Sequence, residues 1–425
     1  MGVPKQAFTV SSRKKPTPAT TRRLRQHVLE LLKKQGLAVG ADRLVQDQSY
    51  DKEQIRRIHA HGRSERLSEE HPFVEAWLPK LWKYLASGSD IDPSCIDPHA
   101  VVVGNNEELA ALFRVASLWW SVPVSRGFGR RFRIVVFDRS NGKLIGLIGL
   151  TDPVFNLRAR DSWIGWASKD REKRLAHVMD AYVLGAVPPY NVLLGAKLLG
   201  LLATSDFVRN IFRRRYRTKK SVIRGKRFDG RLAMVTVTSA LGRSSVYNRL
   251  RFGGSTVFQS VGFTQGYGHF HLANGTYANL RAYLKAIGDD EVERFRFGQG
   301  PNYRIRVVRT ALEHLGLPRD LLRHGVKRAV YVAPMASNTA AFLKGEAKRL
   351  RWHRRPVEKV VKFWRERWLE PRASWDKSYR EFDRQEWNQI LESSASGPSA
   401  TTSHRNSVSI REQPNASQNL ESDMP

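Results

Sequence analysis

Apolar positions recur along this chain with two different periods, and the switch between them predicts its elements. In "RLRQHVLELLKKQGL", Val28, Leu31 and Leu32 fall on one face at helical spacing, and Gly36 closes the stretch. "DKEQIRRIHAHGRSERL" and "HPFVEAWLPKLWKYLA" predict two more helices, and the turn-rich "SGSDIDPSCIDPHAV" follows them. "NNEELAALFRVASLWWSVP" predicts a helix capped at Asn106 and ended by Pro123. The period then drops to two. In "RRFRIVVFDRSNGKLIGLIGL" two apolar runs flank Asn-Gly, which predicts a hairpin over Phe132–Leu150. "DSWIGW", "GRLAMVTVTSALG" and "KRAVYVAPM" read as further strands. "GTYANLRAYLKAIG" and "NYRIRVVRTALEHLGL" read as helices. From Asn338 the chain turns helical and basic, with Pro356 opening a second helix there.

The longest apolar segment, Ala181 to Ser205, carries one charge, Lys197. It is long enough to cross a bilayer. Pro188 and Pro189 interrupt it, and a helix does not run unbroken through two prolines. The segment therefore reads as a buried strand, Ala181–Val187, and a helix over Val192–Ala203 that repeats Leu194, Leu198, Leu201 and Leu202. No membrane partner is expected. The fold class is α+β, a mixed central sheet with flanking helices. The expected organisation is a disordered basic arm (1–20), a helical N-terminal region (21–100), an α/β core (101–337), a basic Trp-rich helical region (338–392) and a disordered tail (393–425).

Composition adds the partner class. The 425 residues carry a net charge of +32, which attracts polyanions, above all nucleic acid. Cys95 is the only cysteine, so a disulfide framework and a cysteine-rich zinc site are excluded. That usage, and the lack of an apolar leader after Met1, make the cytoplasm the expected location.

Charge is concentrated. From Asp206 to Arg227 there are ten basic residues and one acidic. Arg213, Arg214, Arg215, Arg217, Lys219, Lys220, Arg224, Lys226 and Arg227 exceed what local acids neutralise, and Tyr216 among them is expected to stack on a base of DNA or RNA. A second patch, "KRLRWHRRPVEKVVKFWRERW", interleaves Trp352, Trp364 and Trp368 with arginine and lysine. There Val357, Val360, Val361, Trp364 and Trp368 also form a helical apolar stripe, so part of the tryptophan content is core. "GYGHFH" sets His269 and His271 on one face of an expected strand, where structural histidines are the simpler reading than a metal site. In "TDPVFNLRARDSWIGW", pairing of Asp152 and Asp161 with Arg158 and Arg160 is favoured over Mg²⁺ binding. No metal site is assigned, and the cofactor is left unassigned.

Several long motifs in one order carry a family resemblance: "LWWSVPVSRGFGRRFRIVVFD", "GKLIGLIGLTDPVFNLRARDSWIGW", "VMDAYVLGAVPPYNVLLGAKLLGLLATS" and "ALGRSSVYNRLRF". Together they resemble the DruA family of Druantia anti-phage defence systems, over roughly Val101 to Leu350. The resemblance implies a role in defence against phage, beside a large helicase partner in some systems, and no particular biochemical activity. The same segments resemble, more weakly, the GNAT acyltransferase fold. There the hairpin and the Ala181–Val187 strand precede a helix whose N-terminus receives a cofactor pyrophosphate. Under that resemblance Asp180 takes a proton from an amine, Tyr190 protonates a leaving thiolate, and Asn191 and Gly195 lie at the cofactor. "PPYNVLLGA" departs from that pattern, with Gly195 alone and no basic residue before it. Read alone, Asp180 and Tyr190 are more simply a capping aspartate and a turn tyrosine. The function expected is an anti-phage component that binds nucleic acid and acts with a helicase-containing system. A GNAT-like acyltransferase, and a metal-dependent nuclease or transposase-like protein, are the alternatives.

Overall fold

A computed structural model describes residues 15–37, 50–124, 129–220, 225, 227–272, 274–289 and 303–395. Most of the expected N-terminal arm and nearly all of the expected tail lie outside the described residues. The strands are β1 (Pro98–Val102), β2 (Arg131–Asp138), β3 (Lys143–Thr151), β4 (Val178–Ala186), β5 (Met234–Thr238), β6 (Arg251–Phe252), β7 (Ser255–Thr256), β8 (Gln259–Phe263) and β9 (Ala329–Pro334). Seven of them form one sheet in the order β1-β2-β3-β4-β5-β9-β8, and β6 and β7 make a separate ribbon. Only β4 and β5 pair in parallel, so the sheet is mixed and the class is α+β. The hairpin forms where Asn-Gly predicts it. Gly142 adopts φ +72°, a region that favours glycine, and its amide donates to the Asp138 carbonyl at 2.8 Å.

The helices are α1 (Pro18–Lys34), α2 (Lys52–Leu81), α3 (Glu107–Ala116), α4 (Arg158–Ile164), α5 (Ser168–Arg174), α6 (Gly195–Leu202), α7 (Asp206–Tyr216), α8 (Asn274–Ile287), α9 (Tyr303–His314), α10 (Thr339–Lys344), α11 (Val357–Trp364), α12 (Glu370–Trp375) and α13 (Gln389–Ala395). Three differ from expectation. α1 begins inside the expected arm, because the Thr17 hydroxyl caps it by accepting from the Thr20 amide at 3.2 Å. The two helices expected over 51–86 are one. α2 runs through Pro72 and Pro79, held along its length by the burial of Ile55, Ile58, Leu67, Val74, Leu78 and Leu81. "DSWIGW" is not a strand but the end of α4 and its exit, since Gly165 at φ +80° closes a helix with Arg160 and Asp161 already buried inside it.

Each sheet face has its own cover. On one, Phe132, Ile134, Val136, Met179 and Val235 pack against Leu198 and Leu202 of α6, Val208 and Phe212 of α7, and Trp364 of α11. The other face is covered in two parts. Leu78 of α2 and Leu112 and Phe113 of α3 lie over Val135, Leu147 and Val183, while Ile164 of α4 and Phe342 of α10 lie over Val178, Met234 and Val332. A further core joins α1, the start of α2, α8 and α9. The long apolar segment is thus strand β4 and helix α6, whose Leu198, Leu199 and Leu201 are wholly buried. Among the described residues no helix is long and apolar enough to cross a membrane.

At the N-terminus of α3 the Asn106 side chain accepts from the Leu109 amide at 2.8 Å, as expected from sequence. Asn106→Ala is expected to lower stability by about 1 kcal/mol, read as a shift of the urea midpoint at unchanged slope.

Candidate nucleic-acid interface

α7 is amphipathic by spacing. Val208, Ile211, Phe212 and Tyr216 turn inward, which leaves Arg213, Arg214 and Arg215 exposed on the outer side. Arg217, Lys219, Lys220 and Arg227 continue the exposed run, with a backbone bridge between Lys220 and Arg227. None of these seven cations forms an ion pair among the described residues, in contrast to Arg209 on the same helix, which pairs with Asp206 at 3.2 Å. Arg224 and Lys226 lie outside the described residues.

Tyr216 is a correction to the expected base stacking. Its ring is 4 % exposed and rests on Phe212 at a centroid distance of 5.0 Å, and its hydroxyl donates to the Arg131 carbonyl at 3.0 Å. The tyrosine anchors the helix to β2 and is not on offer to a ligand. That anchor brings β2's own cations to the run. Burial lowers the pKa of Arg133, and the Arg131 and Arg215 charges lower it further, against an opposing contribution from Tyr182. Arg131 and Arg133 flank inward-facing Phe132, so "RRFRI" carried the alternating signal that points to them, but only the fold joins them to α7.

The second basic patch uses its tryptophans for packing. Trp364 is 1 % exposed and donates its indole N–H to the Leu194 carbonyl at 3.1 Å. Trp352 lies under the Arg209 guanidinium at 4.7 Å, and Lys197 sits 4.9 Å from the Trp368 ring centroid. Arg349, Arg351 and Arg354 around them are exposed.

Asp180 and Tyr190 are not brought together. Tyr190 is buried beyond the far end of β4, where its hydroxyl donates to Asp138 at 3.0 Å and receives from the Asn141 amide at 3.0 Å. Burial, with the Asp138 charge, pushes its pKa up. Asn191 donates its own amide to the Val187 carbonyl at 3.0 Å, and the Gly195 amide donates to the Tyr190 carbonyl at 3.0 Å. Trp364 and Arg372 cover this start of α6 by bonding the carbonyls of Leu194 and Val192.

Asp180 is half-buried near the other end of β4. It accepts from the Val154 amide at 2.9 Å and from the Thr236 hydroxyl. Burial pushes its pKa up to about 7; the Arg160 charge and the Val154 bond oppose this, while Asp152 and Asp161 reinforce it. Asp161 pairs with Arg160 at 2.7 Å, the local pairing favoured from sequence, and also with Arg171 at 3.0 Å, whereas Asp152 pairs with Arg130 at 2.7 Å, an arginine outside that segment. His269 and His271 lie in a bend and a 3₁₀ turn, not on a strand, and His271 bonds the Leu321 carbonyl at 2.7 Å. Among the described residues no group of three or more His, Cys, Asp or Glu is placed to hold a metal.

The raised Asp180 pKa has a stability consequence. Its folded form holds a proton that the unfolded chain has lost, so this group costs stability increasingly as pH rises from about 4 to 7. Asp180→Asn is therefore expected to raise the melting temperature relative to the parent more at pH 8 than at pH 5. A difference independent of pH contradicts this.

Comparison with known proteins places this scaffold. Residues 49–345 match the family model for Druantia protein DruA. The chain belongs to the DruA family. A Druantia protein DruA of Escherichia coli (strain UMEA 4076-1) is 40 % identical to it over 359 residues, covering 84 % of this chain and 89 % of the relative. The family match contains the sheet from β1 to β9, α7 and the cations that follow it. No solved structure matches the chain.

Proposed function

We propose that this DruA-family chain is the nucleic-acid-binding component of a Druantia anti-phage system and works with the other components, a helicase among them. The observation that carries the reading is the run of seven exposed cations on and after α7 that form no ion pair among the described residues. Like charges gathered this way repel one another in the free protein and are relieved by a polyanion. Phosphate contacts of this kind carry affinity without sequence choice. The test is a titration of labelled duplex and single-stranded DNA and RNA between about 50 and 200 mM salt. Steeply salt-dependent binding is expected, and no binding at the low end overturns the proposal.

The acyltransferase alternative has less support. β4 and β5 do part beyond Ala181 and Val237, and Tyr182 forms a bulge in β4 there. However, Tyr247 fills the opening and donates its hydroxyl to the Leu184 carbonyl at 3.0 Å.

A further inference from the structure

At the end of the sheet opposite α3, the β6–β7 ribbon, the start of β8, the segment after β9 and Trp163 of α4 line an open cleft of about 680 Å³. That is within the range of small-molecule sites, roughly 300–1,000 Å³. Its walls include Trp163, Thr256, Ser260 and His353, an aromatic and hydroxyl lining, over a floor at Phe258, which is buried in the core. Arg355 also lines it and is only 5 % exposed.

Arg355 is held in place by its backbone. Its amide donates to the Asp206 carboxylate at 3.2 Å, and its carbonyl accepts from the Asp206 amide at 3.0 Å. The Asp206 carboxylate is itself paired with Arg209. The Arg355 guanidinium has no ion pair among the described residues, and its buried Nη1 has no hydrogen-bond partner. Burial lowers its pKa to about 10, against the Asp206 charge, which raises it, so it remains a cation at neutral pH. A guanidinium only donates, and Asp206, already bonded to the Arg355 amide and paired with Arg209, leaves its Nη1 without an acceptor; its planar fork matches phosphate. The same Asp206 begins α7, so a chain leaving the cleft along that helix meets Arg213 about 10 Å further on, at 1.5 Å per residue.

We propose that this cleft binds a nucleoside phosphate, either free or as the terminal residue of a strand, with the phosphate on Arg355 and the base against the aromatic wall. The strand-end source rests on the nucleic-acid reading above; the free-nucleotide source does not.

The test uses the full chain and three probes: nucleoside monophosphates, inorganic phosphate, and oligonucleotides ending in phosphate or hydroxyl. Monophosphates are expected to bind about tenfold or more tightly than inorganic phosphate, read by titration and by thermal shift. If strand ends are the source, phosphate-ended oligonucleotides show a similar preference over hydroxyl-ended ones; if that preference is absent while monophosphates bind, the ligand is a free nucleotide. Arg355→Lys keeps the charge but loses the fork, and Ser260→Trp fills the cleft from an exposed position. Both variants are expected to lose these preferences while binding of hydroxyl-ended duplex, carried by α7, keeps its salt dependence. If Arg355→Lys does not fold, Ser260→Trp decides. The proposal is overturned if monophosphates bind no better than inorganic phosphate, or if Ser260→Trp leaves the preference intact. Should the chain bind no duplex at all, the monophosphate arm still reports on the cleft alone.

Discussion

Replacing Arg213, Arg214 and Arg215 together with serine is expected to weaken nucleic-acid binding roughly 10- to 100-fold near physiological salt. All three are exposed and none has an ion-pair partner among the described residues, so the loss falls on the ligand and not on the fold. If each contacts one phosphate, the slope of log affinity against log salt shrinks by up to about 2.7 on duplex DNA, at about 0.9 per contact. Unrelated sequences should be affected alike, because phosphate contacts carry no base identity. Stability should stay within about 0.5 kcal/mol of the parent, as for other surface substitutions, and phage protection should fall with binding. If the triple variant binds as tightly as the parent across the salt series, the run is a solvated surface and the exposed arginines near Trp352 take its place.

Acid is expected to unfold the protein well above the pH at which ordinary carboxylates titrate. His59, His271 and His324 lie together around Phe270, with ring centroids 4.4 Å from Phe270 to His59, 4.5 Å to His324 and 5.4 Å to His271. Burial lowers the pKa of His59 and His271 to about 4 and that of His324 to about 2, with the Arg328 charge adding to the shift in His59 and His324. The folded state keeps these rings neutral while the unfolded chain takes up protons near pH 6.5. Their stabilisation is therefore complete above about pH 6.5 and is lost as pH falls toward 4. Each ring contributes at most about 1.4 kcal/mol per pH unit. Half-buried His269, also lowered to about 4, counts for less because solvent screens it. Asp180 acts in the opposite sense over the same window, one group against three. Urea midpoints should fall between pH 7 and 5, and His271→Gln should flatten that fall. A midpoint that holds constant over this range contradicts the account.

Much of the fold was legible because its strongest signals are local. Asn106 caps α3 through one side-chain bond, Asn-Gly turns the β2–β3 hairpin, and Pro188-Pro189 separates β4 from α6. The misreadings came from contacts that no local pattern encodes. "DSWIGW" alternates like a strand, yet Arg160 is buried and bonded to Asp161 and the Val154 carbonyl, which fixes a helix. The basic run was legible as charge, but a tyrosine among arginines reads the same whether it faces solvent or core. Only the packing of Phe212 and the Arg131 carbonyl turns Tyr216 inward. Arg355 was hidden in another way: its backbone partner, Asp206, is 149 residues away.

α2 gives the molecule a mechanical property. Its 30 residues span about 45 Å. Ile55 and Ile58 at one end are set in the core around α8 and α9, and Leu78 and Leu81 at the other in the core against α3 and β3. A single rod pinned at both ends resists bending, so these two bodies cannot rotate independently while it is intact. A push delivered at the histidine end reaches the β1–β3 edge through the second half of the rod, where Pro72 and Pro79 each remove a helical hydrogen bond and set the points at which it yields first. Conversely, melting one end frees the lever and slackens the other, which couples the two ends into one cooperative unit.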